Sequence, residues 1–367
     1  MKRLVIIGAN DFQNQLILKA KSLGYETHVF AWEDGAVGKE TADFFYPISI
    51  VEKEGIFQKC KAIRPDGVCS IASDLASITV NYVAEKLGLP CNNTNYTDIQ
   101  TNKYKMRDAL RKAGIHCPKY VLADESFTRE TIADFKFPII VKPTDRSGSR
   151  CVMKLETVEK IEDAIKQACN VSFEKKAIIE EYIDGAEYSM ETISFCGSHY
   201  YLATTEKFTT GAPHFIETGH RQPSGLSDEI NDSAKNVVFK ALDALHIENS
   251  AGHSEFKVDE QGNIHIIEIG ARMGGDCIGS DLVYLSTGND FMKMVIDVAC
   301  GQEPKLKENS NDIEVEIRFI FTPGDLKNFE DVKRQFPEKL YRASKMELEN
   351  IGNTVDSGSR VGYYILR

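Results

Sequence analysis

Several features are missing from this sequence, and each absence excludes a class of protein. There is no run of eighteen or more apolar residues, so we expect no membrane-spanning helix and no membrane partner. The first residues enter a short strand pattern without a signal-peptide core, which indicates no export route. The nine cysteines stand singly, without a Cys-x-x-Cys pair. This usage suits a reducing compartment, and we expect a cytoplasmic protein.

Positive charge is also scarce. The chain has 44 lysines and arginines against 55 aspartates and glutamates, which gives a formal net charge of −11. Binding to nucleic acid needs a basic stripe that releases counterions, so nucleic acid is not an expected partner. A small anion is still compatible with this composition, because a few lysines and metal ions set the local field whatever the global charge.

At 367 residues the chain is too long for one ordinary core, and two or three packed units are expected. The N-terminal part predicts strands at residues 4–8, 27–30 and 67–71 and helices at residues 12–23, 56–63 and 78–87. This alternation predicts a small parallel sheet flanked by helices. A turn-rich stretch at 89–96 indicates the end of this first unit, which we place at 1–95.

The pattern changes after residue 118. Longer intervals separate predicted strands at 137–141, 151–155, 177–182, 188–195 and 200–208, which favours an antiparallel sheet. A long helix at 228–245 precedes strands at 254–258 and 264–269, joined by a DEQGN turn whose glycine suits a hairpin. Residues 302–312 are predicted to be a linker. We therefore expect a second unit at 96–312 and a small α+β cap at 313–367, in a multidomain protein of α/β and α+β class.

The turn after the first strand carries one glycine, Gly8, where a dinucleotide fingerprint needs three. A dehydrogenase is not expected on this spacing. A structural tight turn and a contact with substrate both remain open for Gly8.

A candidate phosphate site follows the apolar run FPIIVKP. Lys142 leaves this buried strand directly before TDRSGSR. Ser147, Gly148 and Ser149 form a flexible segment whose amides and hydroxyls can fold over phosphates beside the lysine. The alternative is a strand-end lysine before an ordinary turn.

A candidate purine site lies in IIEEYIDGAEYSMET. One strand ends in Glu180, Glu181, Tyr182 and Ile183, and Glu187 opens the next strand. Such an edge can offer backbone groups to a purine ring and a carboxylate to ribose hydroxyls. An acidic surface hairpin is the alternative.

A pair of carboxylates is predicted on the hairpin at 254–269. Glu255 and Glu268 stand on adjacent strands in a register that can bring them face to face. Magnesium binds through one or two carboxylates together with substrate phosphates, so it is the natural partner of this pair. Arg272, in the loop GARMGG, is a planar cation suited to the oxygens of a transferred phosphoryl group. A structural salt bridge among Glu268, Arg272 and a neighbouring residue is the alternative.

In this order, the motifs resemble the ATP-grasp superfamily over roughly residues 95–300. The resemblance implies ATP and Mg²⁺ as cofactors, with two ions expected and Mn²⁺ as a possible substitute, and a mobile lid at roughly 118–185. It implies that Lys103 and Lys142 contact phosphate and that Ser147 to Ser149 lie on the lid. It also implies that Glu180 to Ile183 form the adenine hinge and that Glu187 binds ribose. Finally, it implies that Glu255 and Glu268 hold metal and that Arg272 closes the motif. Many members carry Asn where this chain has Gly270, which puts in doubt how the second ion is held.

The form Glu-Ile-Gly-Ala-Arg, with His220 in the predicted loop FIETGHRQPS, resembles the bacterial L-amino-acid ligases most closely. Similarity extends to the carbamoyl-phosphate synthetase large subunit and to phosphoribosylglycinamide synthetase. The resemblance implies a ligase that joins a small-molecule carboxylate to an amine through an acyl phosphate. It further implies that His220 or Arg221 reaches the acyl phosphate or a substrate carboxylate, and that Asp276 binds a substrate ammonium. Homodimers are common among such ligases, so a homodimer is a possible assembly.

Other functions stay open on the sequence alone. The chain fits a purine-pathway ligase that acts on a phosphoribosylamine, or a ligase that modifies a peptide or carrier. Gly270 makes a non-catalytic ATP-binding regulator conceivable. A small-ligand binding module built on the N-terminal sheet would need no ATP at all.

Overall fold

Three β-sheets organise the part of the chain that the structure describes. The computed structural model describes residues 1–212, 215–308, 311, 313–354 and 356–367. Residues 309, 310 and 312 of the predicted linker therefore lie outside the described residues. No helix in these described ranges is long and apolar enough to cross a membrane.

The N-terminal sheet is parallel, as predicted. Its strands are β1 (Arg3–Ile7), β2 (Glu26–Phe30), β3 (Phe44–Tyr46) and β4 (Gly67–Cys69), in the order β3-β2-β1-β4. Its helices are α1 (Asp11–Ser22), α2 (Lys53–Ile63) and α3 (Asp74–Leu87). Asn10 begins α1 with a capping box, and Ser73 caps α3. The sequence missed β3, because three half-exposed residues are too few to show a strand period.

The second sheet is small and antiparallel. The helices α4 (Thr97–Thr101) and α5 (Lys103–Lys112) lead into it. Its strands are β5 (Tyr120–Ala123), β6 (Ile139–Pro143), β7 (Met153–Leu155) and β8 (Ala177–Glu181), in the order β5-β8-β6-β7. The helix α6 (Ile161–Val171) packs on one face, where Ile165 and Ala168 join Ile139 and Ile179 in a buried apolar cluster. The opposite face of this sheet therefore faces the rest of the chain.

The third sheet has eight strands, all paired antiparallel. They are β9 (Ala186–Phe195), β10 (Ser198–Thr209), β11 (Glu217–Gln222), β12 (Ala251–Val258), β13 (Ile264–Gly270), β14 (Val315–Ile320), β15 (Leu340–Ala343) and β16 (Gly362–Leu366). Their order is β13-β12-β9-β10-β11-β14-β16-β15. The remaining α-helices are α7 (Asp228–Ala244), α8 (Val283–Thr287), α9 (Phe291–Ala299) and α10 (Pro323–Gln335). The predicted hairpin is confirmed as β12 and β13.

Two apolar clusters hold the sheets in place. The helix α7 buries Val238 and Leu242 against Phe256 and Ile266 of the large sheet. The helix α9 belongs to a second cluster that joins apolar side chains of the N-terminal unit to the large sheet, among them Leu4, Leu16, Ile193, Phe291 and Ile296. The N-terminal unit is therefore fixed against the large sheet by shared core rather than by a linker alone.

The C-terminal strands extend the large sheet. Strand β14 pairs with β11, and the last strand, β16, lies between β14 and β15. The final strand is thus tied into the large sheet on both sides. The boundaries proposed at residues 95 and 312 stay predictions, and residues 313–367 share their sheet with residues 186–270.

One expectation was wrong. Residues 215–224 were expected to form a loop, but Glu217–Gln222 is strand β11, bonded on both sides by β10 and β14. The segment ETGHRQ has no apolar alternation, so its strand character depends on two neighbours that are distant in sequence.

Candidate active site

Side chains from four neighbouring strands meet on one face of the large sheet. They are Glu187 on β9, Lys207 on β10, Glu217 on β11 and Glu255 on β12. The ammonium nitrogen of Lys207 lies 2.5 Å from an oxygen of Glu255. The same nitrogen lies 3.3 Å from Glu187 and 3.9 Å from Glu217. One buried ammonium is thus surrounded by three carboxylates.

A cleft of about 1090 Å³, counted with its open part, lies between this face and the small antiparallel sheet. It brings together all the residues expected to bind nucleotide and metal, with Arg272. The lining includes Lys103, Lys142, Ser147, Gly148, Ser149, Glu180, Glu181, Tyr182, Ile183, Glu187, Glu255, Glu268 and Arg272. Their individual roles remain predictions, but their convergence in one cleft is a feature of the fold.

Lys103 is the first residue of α5, and its side chain is buried. Its ammonium donates to an oxygen of Glu268 at 2.7 Å and to the backbone carbonyl of Arg146 at 2.6 Å. Lys103 therefore connects a carboxylate of the large sheet to the loop that follows β6.

Lys142 leaves β6 beside a second buried acid. Its ammonium lies 2.5 Å from Glu180, whose other oxygen accepts from Nε of Arg107 at 2.6 Å. Burial opposes ionisation of Glu180, but Arg107 and Lys142 lower its pKa to about 2. The pair of cations outnumbers the carboxylate by one, so a net positive charge remains at this end of the cleft.

The loop after β6 covers the cleft from the side of the small sheet. Ser147, Gly148 and Ser149 all line the cleft. Gly148 and Ser149 have φ of +71° and +55°, in the left-handed region that glycine adopts readily. Backbone amides exposed by such a turn can contact an anion without a side chain.

Glu255 and Glu268 are Cα partners on β12 and β13, in the face-to-face register that the hairpin predicted. One oxygen of Glu255 contacts Lys207, and one oxygen of Glu268 contacts Lys103. Within the described ranges, no donor contacts the second oxygen of either carboxylate, and no group of three or more His, Cys, Asp or Glu forms a complete metal cage. Two hard oxygen ligands, completed by water and phosphate, are the donor set that suits Mg²⁺.

The sequence interpretation missed two buried cations. Besides Lys207, His253 on β12 contacts Glu191 on β9 and lies 3.3 Å from Glu255. Burial opposes the charge on His253, but Glu191 and Glu255 raise its pKa to about 9. The sequence did contain a signal for His253, because His253 and Glu255 are two residues apart in a strand and their side chains must share a face.

Arg272 follows β13 and is held by the N-terminal unit. Its guanidinium donates to both oxygens of Asp74, at 2.8 and 3.2 Å. A Cβ at Gly270 would lie 3.0 Å from Asp74 and 3.1 Å from the guanidinium carbon of Arg272. A larger residue at position 270 would crowd this pair, so the side chains of Asp74 and Arg272 would have to shift by a few tenths of an ångström.

The predicted purine edge lies at the end of β8. Tyr182 lies beneath two ammonium groups, Lys154 at 4.3 Å and Lys257 at 4.6 Å from the ring centroid. Lys257 also donates to the backbone carbonyl of Ile183 at 3.1 Å. Glu181 accepts from the backbone of Lys136 at 2.8 Å. This edge is therefore a mixed surface, with an aromatic ring and positive charge.

Of the three residues expected to contact substrate, two lie together and the third lies apart from them. His220 is buried on β11, with a ring nitrogen 3.6 Å from Asp276. Asp276 accepts two hydrogen bonds from Arg360, at 2.6 and 3.0 Å, and Arg360 together with His220 holds its pKa well below the usual range despite burial. Arg221 points elsewhere and pairs with Glu206. None of these three expected residues belongs to the described lining of the cleft.

Comparison with known proteins finds relatives of this chain. A model of the ATP-grasp domain family matches residues 135–281. The chain is 28% identical over 312 residues to an alanine–anticapsin ligase of Bacillus subtilis (strain 168), which covers 75% of this chain and 65% of that protein. It is 26% identical over 273 residues to a carbamoyl phosphate synthase large chain of Thermoanaerobacter sp. (strain X514), covering 72% of this chain and 24% of that protein. The chain thus spans less than two thirds of the length of these relatives.

Solved structures share the fold over the whole chain. An L-amino acid ligase from Bacillus licheniformis has a TM-score of 0.81 at 24% identity and covers 100% of this chain and 93% of its own. A phosphoribosylglycinamide synthetase from Anaerococcus prevotii has a TM-score of 0.77 at 21% identity, with the same coverage of 100% and 93%. At these identities the likeness establishes the fold alone.

Proposed function

Because the chain contains an ATP-grasp domain, we propose that it is an ATP-dependent carboxylate–amine ligase. In this proposal it forms an amide or peptide bond on amino-acid-like substrates through an acyl phosphate. The observation that carries the proposal is the cleft itself, in which cationic side chains face two carboxylates, each with one oxygen that no donor of the described residues contacts. Similarity to an alanine–anticapsin ligase favours amino-acid-like substrates.

We assign ATP to this cleft. The purine ring would lie against the edge at residues 180–183, and Glu187 would accept from the ribose. The triphosphate would run toward Lys142, Lys103 and the loop at residues 147–149, where the net charge is positive. The aromatic ring of Tyr182, which lines the cleft, supports the position of the purine.

Glu255 and Glu268 would hold Mg²⁺ through their free oxygens, and the ion would supply positive charge next to the phosphates. Two ions, and Mn²⁺ as a substitute, follow from the family resemblance and belong to the proposal. At position 270 the chain offers no side chain as a further ligand, so two side-chain carboxylates are assigned to the metal.

The proposed chemistry has two steps. An oxygen of the substrate carboxylate attacks the γ-phosphorus of ATP, and ADP leaves. The amine nitrogen then attacks the acyl carbon, phosphate leaves, and the amine gives up a proton. Phosphoryl transfer depends on positioning and charge neutralisation, so no protein nucleophile is needed. Lys103, Lys142 and Arg272 would neutralise the oxygens involved, and the loop at residues 147–149 would exclude water from the acyl phosphate.

His220 and Asp276 remain the proposed substrate residues, although they lie outside the described lining of the cleft. Both are held beside the loop that carries Arg272, and His220 has no hydrogen-bond partner for either ring nitrogen within the described residues. A substrate ammonium would have to share Asp276 with Arg360. Arg221 is assigned to its ion pair with Glu206 rather than to substrate.

Release of ADP with Mg-ATP tests the function directly. We expect amino-acid pairs to stimulate ADP release, and mass spectrometry to find a condensed product. Glu268→Gln should abolish stimulated release, because it removes a charge that the metal needs. Near-normal turnover in that variant would remove the metal assignment.

A different response to substrates would favour a different function. Stimulation by a sugar-phosphate amine, and not by amino acids, would favour a purine-pathway ligase, a reaction class suggested by the fold likeness to a phosphoribosylglycinamide synthetase. ATP binding without turnover under any condition would favour a regulator. The homodimer, the cytoplasmic location and the division at residues 95 and 312 stay proposals beside the activity.

A further inference from the structure

Two histidines meet where the chain enters the small sheet. His116 lies in the connection between α5 and β5, and His265 lies on β13 of the large sheet. Their Nδ1 atoms are 2.9 Å apart. His116 is exposed and His265 is buried, so solvent reaches the pair from one side. Neither residue belongs to the described lining of the cleft, and the proposed chemistry uses neither of them.

A carboxylate sets the tautomer of His265. Asp259 accepts from Nε2 of His265 at 2.8 Å, so Nε2 carries the proton and Nδ1 of the neutral ring presents a lone pair to His116. Asp259 is itself held by the backbone amides of Gln261 and Asn263, at 3.0 and 2.9 Å. Hydrogen bonds from His265 and Asn263 lower the pKa of Asp259 well below the usual range, so it is ionised. Histidines that bind metal are commonly oriented by such a carboxylate on the other ring nitrogen.

The spacing of the two nitrogens fits a shared metal ion. At this separation, an ion about 2.0 to 2.1 Å from each nitrogen would see the two ligands at an angle of roughly 90°. The ring centroids are 4.7 Å apart, closer than they would be if the two nitrogens pointed straight at each other. A right angle between neighbouring nitrogen ligands is the geometry of tetragonal Ni²⁺ and Cu²⁺ sites.

The protein would supply two ligands and solvent the others. Among the described residues, no group of three or more His, Cys, Asp or Glu forms a metal cage, so water would complete the coordination of this pair. In the metal-free pair, Nδ1 of His116 donates its proton to Nδ1 of His265. When a metal binds, this proton moves through solvent to Nε2 of the exposed His116 ring. Both Nδ1 lone pairs are then free, and both rings stay neutral.

We propose that His116 and His265 form a binding site for a late first-row transition metal ion of the Ni²⁺ or Cu²⁺ type, with Asp259 orienting His265. The site does not rest on the proposed function. A bound ion would tie the connection between α5 and β5 to strand β13, and thereby the entry of the small sheet to the large sheet.

The test is binding of Ni²⁺ to the untagged full chain, followed by calorimetry with Mg²⁺ in excess. Mg²⁺ competes for carboxylates but not for imidazole. Ni²⁺ avoids the reduction of Cu²⁺ by the free thiols of the chain, which favour Cu⁺. His116→Ala and His265→Ala should each bind Ni²⁺ at least about tenfold more weakly than wild type, because one of two protein ligands is lost. Asp259→Asn should weaken binding by about tenfold to a hundredfold.

His199→Ala is the matched control. The side chain of His199 is also buried beside a carboxylate, with Nε2 3.1 Å from Asp243, but its Nδ1 contacts Ser194 instead of a second histidine. The affinity of this variant for Ni²⁺ should equal that of wild type.

Thermal unfolding gives a second measurement. Ni²⁺ should raise the melting temperature of wild type and of His199→Ala but not of His116→Ala, because an ion that binds only the folded state stabilises it. His116 is exposed, so its replacement leaves the core intact. Equal Ni²⁺ affinity in wild type and His116→Ala, or no binding of Ni²⁺ to wild type, would overturn the site. An equal loss of affinity in His199→Ala would also overturn it, since the response would then belong to the whole protein.

Discussion

At the scale of single residues, Glu180 determines the charge at the phosphate end of the cleft. It is 3% exposed and bridges Arg107 and Lys142. Ion pairs of this kind add little stability over an apolar core, but loss of one partner leaves a charge buried without compensation. Glu180 is therefore a structural acid as well as part of the predicted purine edge.

Glu180→Gln should lower the free energy of unfolding by about 3 to 5 kcal/mol, because Arg107 and Lys142 stay buried and charged. Glu162→Gln is the matched control. Glu162 pairs with Arg129 in a similar geometry but on the surface, so its loss should lower the free energy of unfolding far less. Denaturant unfolding at neutral pH measures both. Equal losses for the two variants would contradict the buried-pair account.

The pH dependence of the same comparison has a definite sign. The folded-state pKa of Glu180 is lowered from 4.5 to about 2, so its contribution to stability is present above about pH 4.5 and is lost as the pH falls toward 2. The difference between wild type and Glu180→Gln should therefore shrink across that window. A difference that stays constant from pH 5 to pH 3 would show that the carboxylate charge is not its source.

At the scale of elements, strand β11 links the cleft to the C-terminal strands. It places Glu217 toward Lys207 and His220 toward Asp276, and it joins β10 to the C-terminal strands. Its pairing with β14 is close, because a Cβ at Gly219 would lie 2.7 Å from the carbonyl oxygen of Ile317.

Gly219→Ala should destabilise the protein by about 1 to 3 kcal/mol, because the methyl group has no space beside a backbone oxygen. Gly55→Ala in α2 should do the opposite. The nearest atom to its Cβ is 3.9 Å away, and alanine favours a helix by about 0.5 to 1 kcal/mol over glycine. Thermal unfolding of the two variants compares them, and stabilisation by Gly219→Ala would contradict the strand contact.

At the scale of the whole molecule, the N-terminal unit acts on the cleft indirectly, through an ion pair with the lining residue Arg272. Asp74 begins α3, and its carboxylate holds the guanidinium of Arg272. Burial opposes its ionisation, but Arg272 lowers the pKa of Asp74, so the pair is charged. If Arg272 stabilises the transferred phosphoryl group, its orientation depends on a unit that lies some 200 residues earlier in the chain.

Asp74→Asn should lower ligase turnover by on the order of tenfold to a hundredfold with little change in the affinity for Mg-ATP, because only the orientation of Arg272 is disturbed. Asp290→Asn is the control. Asp290 makes an ion pair with Lys19 across the same two units, at 2.8 Å, but lies outside the described lining of the cleft. Equal loss of turnover in both variants would indicate that the contact between units, and not Arg272, is responsible.

Local patterns predicted much of this protein. The strands around Lys142 and Glu180, the parallel N-terminal sheet and the hairpin that pairs Glu255 with Glu268 all follow from periodicity and turn residues within short windows. A hairpin register is a local property, because the turn between the two strands sets it. The residues predicted to bind nucleotide and metal were singled out for the same reason, since most of them lie in or beside a recognisable strand or helix, and their roles stay predictions.

Only the tertiary structure decided what surrounds those residues. Strand β11 exists because β10 and β14 pair with it, and Asp74 meets Arg272 because the N-terminal unit shares a core with the large sheet. Lys207 gains its three acidic neighbours from strands that are adjacent in the sheet and distant in the chain. Sequence periodicity specifies which face of a strand a side chain occupies, but pairing between distant strands specifies which charges it meets.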